Sequence, residues 1–180
     1  FVRWLPTAPV SDFQKLVQLA ALMLKDPIAA DSSIWAWRGG GVPTLLSLLL
    51  RLLPGTDPNA VARLATATLM GLTPLVPFLV WRGALSLRAR LTAAFLLALW
   101  PGQIVLSGVV AQDNWVIAPA IALAALAARA AALRVGYPSG AAALLALAAW
   151  IRPEMLLALS PLALLAAGAE ASRPRRVRNL

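Results

Sequence analysis

Chemistry in this chain must rest on carboxylates and guanidiniums. The sequence has no His and no Cys, which removes the usual general base, the commonest zinc ligand, and every thiolate or disulfide. Asp12, in Pro9-Val10-Ser11-Asp12-Phe13-Gln14-Lys15, sets one carboxylate ahead of a mostly apolar chain. Asp113 sits in Gln112-Asp113-Asn114, between two apolar blocks, and Arg152 and Glu154 flank Pro153 in another. A charge at membrane depth is expensive unless it is paired or functional. Arg38 precedes Gly39-Gly40-Gly41; bare backbone there permits close approach of a ligand, and a planar guanidinium suits phosphate. Each group also has a plainer role. Asp12 and Asp113 suit helix N-caps, Arg38 an interfacial snorkelling position, and Arg152 a salt bridge with Glu154.

The elements that position these groups are set by composition. Of 180 residues, 61% are hydrophobic and 13% charged, against about 25% charged in a soluble domain; the mean hydropathy is +0.78. The apolar residues come in long blocks, the pattern of an integral membrane protein. The net charge of +9 does not indicate nucleic acid, because the basic residues sit at the ends of apolar blocks, where they act as topology signals. The chain begins at Phe1 and closes on Ser172-Arg173-Pro174-Arg175-Arg176-Val177-Arg178-Asn179-Leu180, which reads as a piece cut from a longer protein.

We expect an all-α, polytopic membrane protein of about five membrane helices plus interfacial and juxtamembrane helices. Residues 1–59 form an outer-side first loop. Its amphipathic helix starts at Ser11 and ends at Lys25-Asp26-Pro27, and a short apolar helix over 43–53 is half the length of a span. Residues 60–169 form the transmembrane module. One span covers 60–81 with kinks at Pro74 and Pro77, and a second covers 91–110 with a break at Pro101-Gly102. A third covers 115–133, and two short apolar helices, 141–151 and 155–169, or one broken one, follow, split by Arg152-Pro153-Glu154. Segments 82–90, 112–114 and 136–140 are its connecting loops and turns. Residues 170–180 are a basic tail. Trp4, Trp35 and Trp37 suit the membrane–water interface.

Basic residues fix the orientation. Segment 82–90 has three, 129–138 two and the tail four, while the opposite turns hold none at 111–114 and Arg152 alone. The positive-inside rule places the first three in the cytoplasm. Asp12, Asp31, Arg38, Asp113, Arg152 and Glu154 then share the outer face.

The order of these features resembles a known family. It runs from an acid in the first outer loop to an interfacial helix, a Leu-rich stub and Ala62-Arg63-Leu64 opening a helix. A basic loop, Leu99-Trp100-Pro101 with Ser107 and Asp113, and Ile151-Arg152-Pro153-Glu154 follow. This looks like the N-terminal membrane module of GT-C glycosyltransferases (family 39-type), especially bacterial relatives of protein O-mannosyltransferases and lipid A aminoarabinose transferases. The resemblance implies transfer of a sugar from a polyprenyl-phosphate donor to a protein, lipid or glycan acceptor at the outer face of the cytoplasmic membrane. It makes Asp12 the general base, Asp113 a second acid that shapes the site and, in some relatives, a divalent metal, and Arg38 and Arg152 the contacts for the donor phosphate. Two positions depart from the pattern: Phe13 and Trp37 stand where many relatives carry acids. A transporter or a non-catalytic scaffold subunit is the alternative; a transporter predicts inverted repeats, and the sequence shows none.

Overall fold

The computed structural model describes residues 11–25, 40–107 and 111–168, the side chains of 11–13 and 106 excepted. These residues are all-helical, with no strand among them. The elements are α1 (Ser11–Lys25), α2 (Gly41–Leu52), α3 (Pro58–Leu72), α4 (Leu75–Val80), α5 (Leu87–Leu99), α6 (Pro101–Ser107), α7 (Gln112–Leu133), α8 (Pro138–Ile151) and α9 (Met155–Gly168).

Among the described residues, two helical runs are long and apolar enough to cross a membrane, Pro58–Val80 with 23 residues and Gln112–Leu133 with 22. The other expected membrane helices are shorter. The chain does traverse the bundle five times, but α5–α6 is broken at Trp100, whose backbone is extended. The two remaining passes, α8 and α9, have 14 residues each. Each gives ~21 Å at ~1.5 Å per residue, short of a ~30 Å hydrocarbon layer.

Several boundaries fall where local chemistry puts them. Asp57 caps α3, its carboxylate accepting from the Asn59 amide at 3.2 Å and the Ala60 amide at 3.1 Å, with Pro58 at the first helical position, where its missing N–H costs nothing. Pro74 causes the break between α3 and α4. Pro77 does not, because it lies in the first turn of α4, where no amide needs an intrahelical partner. Segment 82–90 is only partly a loop: Ser86 caps α5, so Arg88 and Arg90 are helical. Gln112-Asp113-Asn114 is no turn but the first turn of α7, with Ala111 as its N-cap. Pro138 likewise starts α8 inside the expected 136–140 turn.

The break at Pro74 has a consequence across the bundle. Proline has no amide to offer the carbonyl four residues back, so the Met70 carbonyl loses its regular intrahelical donor. Gln103 of α6 supplies one, its side-chain amide donating to Met70 O at 2.6 Å, and Gln103 is only 4% exposed. One buried polar side chain thus ties the broken pass α5–α6 to the kink in α3–α4.

Two buried clusters hold the rest. Leu16, Val17 and Ala20 of α1 meet Val42, Leu46 and Leu50 of α2, Val61 and Ala62 of α3, Trp115 and Val116 of α7, and Ile151 of α8. The amphipathic α1 therefore lays its apolar face on protein. Leu123 and Ala127 of α7 pack with Ala141 of α8 and with Ala163 and Ala166 of α9, where small residues allow close helix approach.

Replacing Gln103 with Leu is expected to remove the shorter of two bonds to the Met70 carbonyl, leaving the Thr73 amide at 3.3 Å, and to cost about 0.5–1.5 kcal/mol of stability, read as a lowered midpoint in denaturant unfolding of the purified chain. A midpoint equal to wild type would rule out this bond as the tie between the two passes.

Candidate functional site

Charge divides the bundle into two ends. Trp115 Nε1 donates to Thr66 Oγ1 at 3.0 Å near one end, and Trp81 Nε1 donates to the Ala125 carbonyl at 3.0 Å near the other. The run α3–α4 and α7 are therefore parallel. Asp57, Asp113 and Glu154 lie at the first end, and Arg82, Arg88, Arg90, Arg129 and Arg134 lie at the second. Asp113 and Arg129 are separated by ~24 Å along α7 at ~1.5 Å per residue.

At the acidic end, α7 begins where α8 stops. Asp113 stands in the first turn of α7 and Arg152 at the C-cap of α8. Each charge complements its own helix dipole, an acid at the positive end and a cation at the negative end. The two also pair directly, Arg152 Nη1 to Asp113 Oδ1. Nε of the same guanidinium donates to Glu154 Oε1 in the α8–α9 turn. Gln112 donates from its side-chain amide to the Ile151 carbonyl. Arg152 is thus held by two acids from two elements, and the three side chains together carry a net charge of −1.

The Arg152 hydrogen bond, with a smaller contribution from its backbone, holds the Glu154 carboxyl below its usual range. A depressed carboxylate stabilises the fold fully above its unfolded pKa and loses that contribution as pH falls through the folded value.

The glycine-rich segment joins this junction. Gly40 is the N-cap of α2 with no side-chain cap bond, so the amides of that first turn present a positive helix end. A Cβ on Gly41 would lie 2.8 Å from the Ile151 Cα, so the start of α2 sits against the residue preceding Arg152 and tolerates only glycine.

Beneath the junction lies an apolar cavity of about 610 Å3 between α2, α3, α4, α7 and α8. Trp115 and Ile151 line it at the junction end, and Leu72, Val76 and Leu144 line it deeper in the bundle. Thr68 alone among its lining side chains bears a hydroxyl.

Of the four site residues read from sequence, Asp113 and Arg152 are thus brought into contact. Arg38 and the side chain of Asp12 lie outside the described residues. The backbone of Asp12 is in the first turn of α1, one turn ahead of Leu16, which shares a buried cluster with Trp115 and Ile151. The salt bridge between Arg152 and Glu154 is present, as its plainer role predicted, but it forms half of a three-residue network. Sequence reasoning missed the Asp113–Arg152 pair, the Gln112 bond and the Gly41 contact. The signal available was Gly41 itself, which was read as freedom for a ligand and serves instead as close packing. Among the described residues, no cluster of three or more acidic side chains could hold a metal ion.

No family model, curated protein or solved structure matches this chain. The reading of the site therefore rests on its own geometry.

Two outcomes check that geometry. Gly41→Val should push α2 off α8 and destabilise the fold by about 1–3 kcal/mol, measured by denaturant unfolding; an unchanged midpoint would refute the contact. Lowering the pH from neutral through the usual carboxylate range and past the depressed Glu154 value should remove up to about 1 kcal/mol from this half-exposed pair. That part of the acid sensitivity should vanish in Glu154→Gln, as followed by stability against pH.

Proposed function

We propose that this chain is the membrane module of a GT-C-type glycosyltransferase that takes sugar from a polyprenyl-phosphate donor. The observation that carries the reading is an ionic and amide-rich junction set on the rim of an apolar cavity. Such a site suits an amphiphile with a charged head and a hydrocarbon tail. A soluble sugar nucleotide has no use for about 610 Å3 of apolar space, and a simple lipid scaffold has no use for charges brought together from α7, α8 and the turn that follows.

In this reading the bundle is polytopic. Its arginine end faces the cytoplasm by the positive-inside rule, and the junction faces outward. The donor chain enters the cavity and its phosphate meets Arg152 and the start of α2. Because Arg152 already holds two carboxylates, the phosphate takes the place of one of them on the guanidinium. The exchange keeps the cation paired in both states, which a charge at the edge of an apolar region requires. Arg38, just upstream of Gly40, adds the second positive charge that a phosphate leaving group calls for. Asp12, one turn from the buried cluster shared by α1 and the junction, acts as general base on the acceptor hydroxyl. Asp113 orients Arg152. A divalent cation on Asp113 belongs to the family expectation, and the described acids offer it too few ligands to route a step through it.

Asp12→Asn in the full-length protein, assayed with a polyprenyl-phosphate sugar, should lower turnover by roughly 10²–10⁴-fold, the range for removal of a general base, with normal expression and an unchanged KM for donor. Turnover at the wild-type rate would sink the assignment.

A further inference from the structure

The arginine end of the bundle carries a second anion site, and we infer that it seats the phosphate of an anionic phospholipid. Arg90 of α5 donates from Nη1 to the Phe78 carbonyl at 3.2 Å, its guanidinium 4.9 Å from the centre of the Phe78 ring. Arg129 of α7 donates to the Val80 carbonyl and, from Nε, to the Tyr137 hydroxyl at 3.0 Å. Two cations from two helices therefore converge on the last carbonyls of α4, where a helix end favours positive charge. Arg82 follows immediately on the α4–α5 turn, and both Arg82 and Arg88 are exposed.

Two features leave this cluster short of an anion. Among the described residues no carboxylate lies at this end, and the ion pairs all belong to Arg152. Arg88 stands in the first turn of α5, which has no acid, so its cation faces a helix end that itself attracts negative charge. A phosphate between Arg82, Arg88 and the start of α5 would offset that placement with one ligand.

The source of the phosphate is set by the flanking residues. Leu79, Leu85 and Leu87 are 63%, 43% and 56% exposed beside the arginines. Leucines that open to the surroundings next to guanidiniums match a headgroup with acyl chains beneath it, and a free phosphate ion would leave them in water. The site rests on the membrane placement proposed above and on no part of the transferase chemistry.

The test uses the full chain in phosphatidylcholine bilayers containing a minority of phosphatidylglycerol, with lipids retained by the protein identified by native mass spectrometry. Wild type should retain phosphatidylglycerol preferentially. Arg82→Gln/Arg88→Gln, whose exposed side chains carry no packing, should keep its helicity and lose roughly tenfold of that enrichment. Inorganic phosphate should leave retention unchanged. Equal enrichment in the variant, or full displacement by inorganic phosphate, would overturn the proposal. A chain that inserts into neutral bilayers without preferring the anionic lipid sinks the headgroup site alone; one that fails to insert sinks the membrane placement with it.

Discussion

The acidic end of the bundle depends on one pairing, Arg152 with Asp113. The two residues are 39 positions apart and meet because α7 and α8 are antiparallel, so the start of one lies beside the end of the other. Each side chain is matched to its own helix dipole before it is matched to the other. The pair therefore needs no buried cage: Arg152 is 35% and Asp113 65% exposed at the side chain, and its direct energy is modest. Its effect is positional. It fixes the register in which Ile151 meets Gly41, while Leu45, Leu49 and Leu53 further along α2 line the apolar cavity. Glu154 holds the same guanidinium from the following turn and keeps α9 folded back against α8.

The opposite end solves the same problem with different residues. The carbonyls at the end of α4 are met by Arg90 and Arg129, and the carbonyl released at Pro74 is met by Gln103. In a bundle with so many apolar faces, helix-to-helix specificity comes from backbone groups freed by proline or by a helix end, each claimed by one long polar side chain. Pro119 inside α7 likewise removes the amide that would bond the Trp115 carbonyl, at the wall of the cavity.

Much of this was legible in the sequence. The start of α1 at Ser11, the short α2, the break near Pro74 and the split of α8 from α9 at Arg152-Pro153-Glu154 follow from apolar block lengths and proline chemistry. The segregation of basic residues foretold the arginine end. The break of α5–α6 at Trp100 follows likewise from Pro101, because a residue before proline is biased to extended backbone. Polar triplets were misread. Gln112-Asp113-Asn114 looks like a turn, yet acids and amides suit the first turn of a helix equally well. The Asp113–Arg152 contact was out of reach because it depends on which helices become neighbours. The charge bias placed both residues on one face and went no further.

The central claim is that the junction and the cavity act as one site for an amphiphile. The most direct measurement is the affinity of the full chain for a long-chain polyprenyl phosphate, set against the corresponding polyprenol and against a short-chain alkyl phosphate, in wild type and Arg152→Gln. The account predicts that wild type binds the long-chain phosphate at least tenfold more tightly than either partial ligand, and that Arg152→Gln binds phosphate and alcohol alike. Equal affinity of wild type for phosphate and alcohol, or an Arg152→Gln variant that still prefers the phosphate, would contradict it.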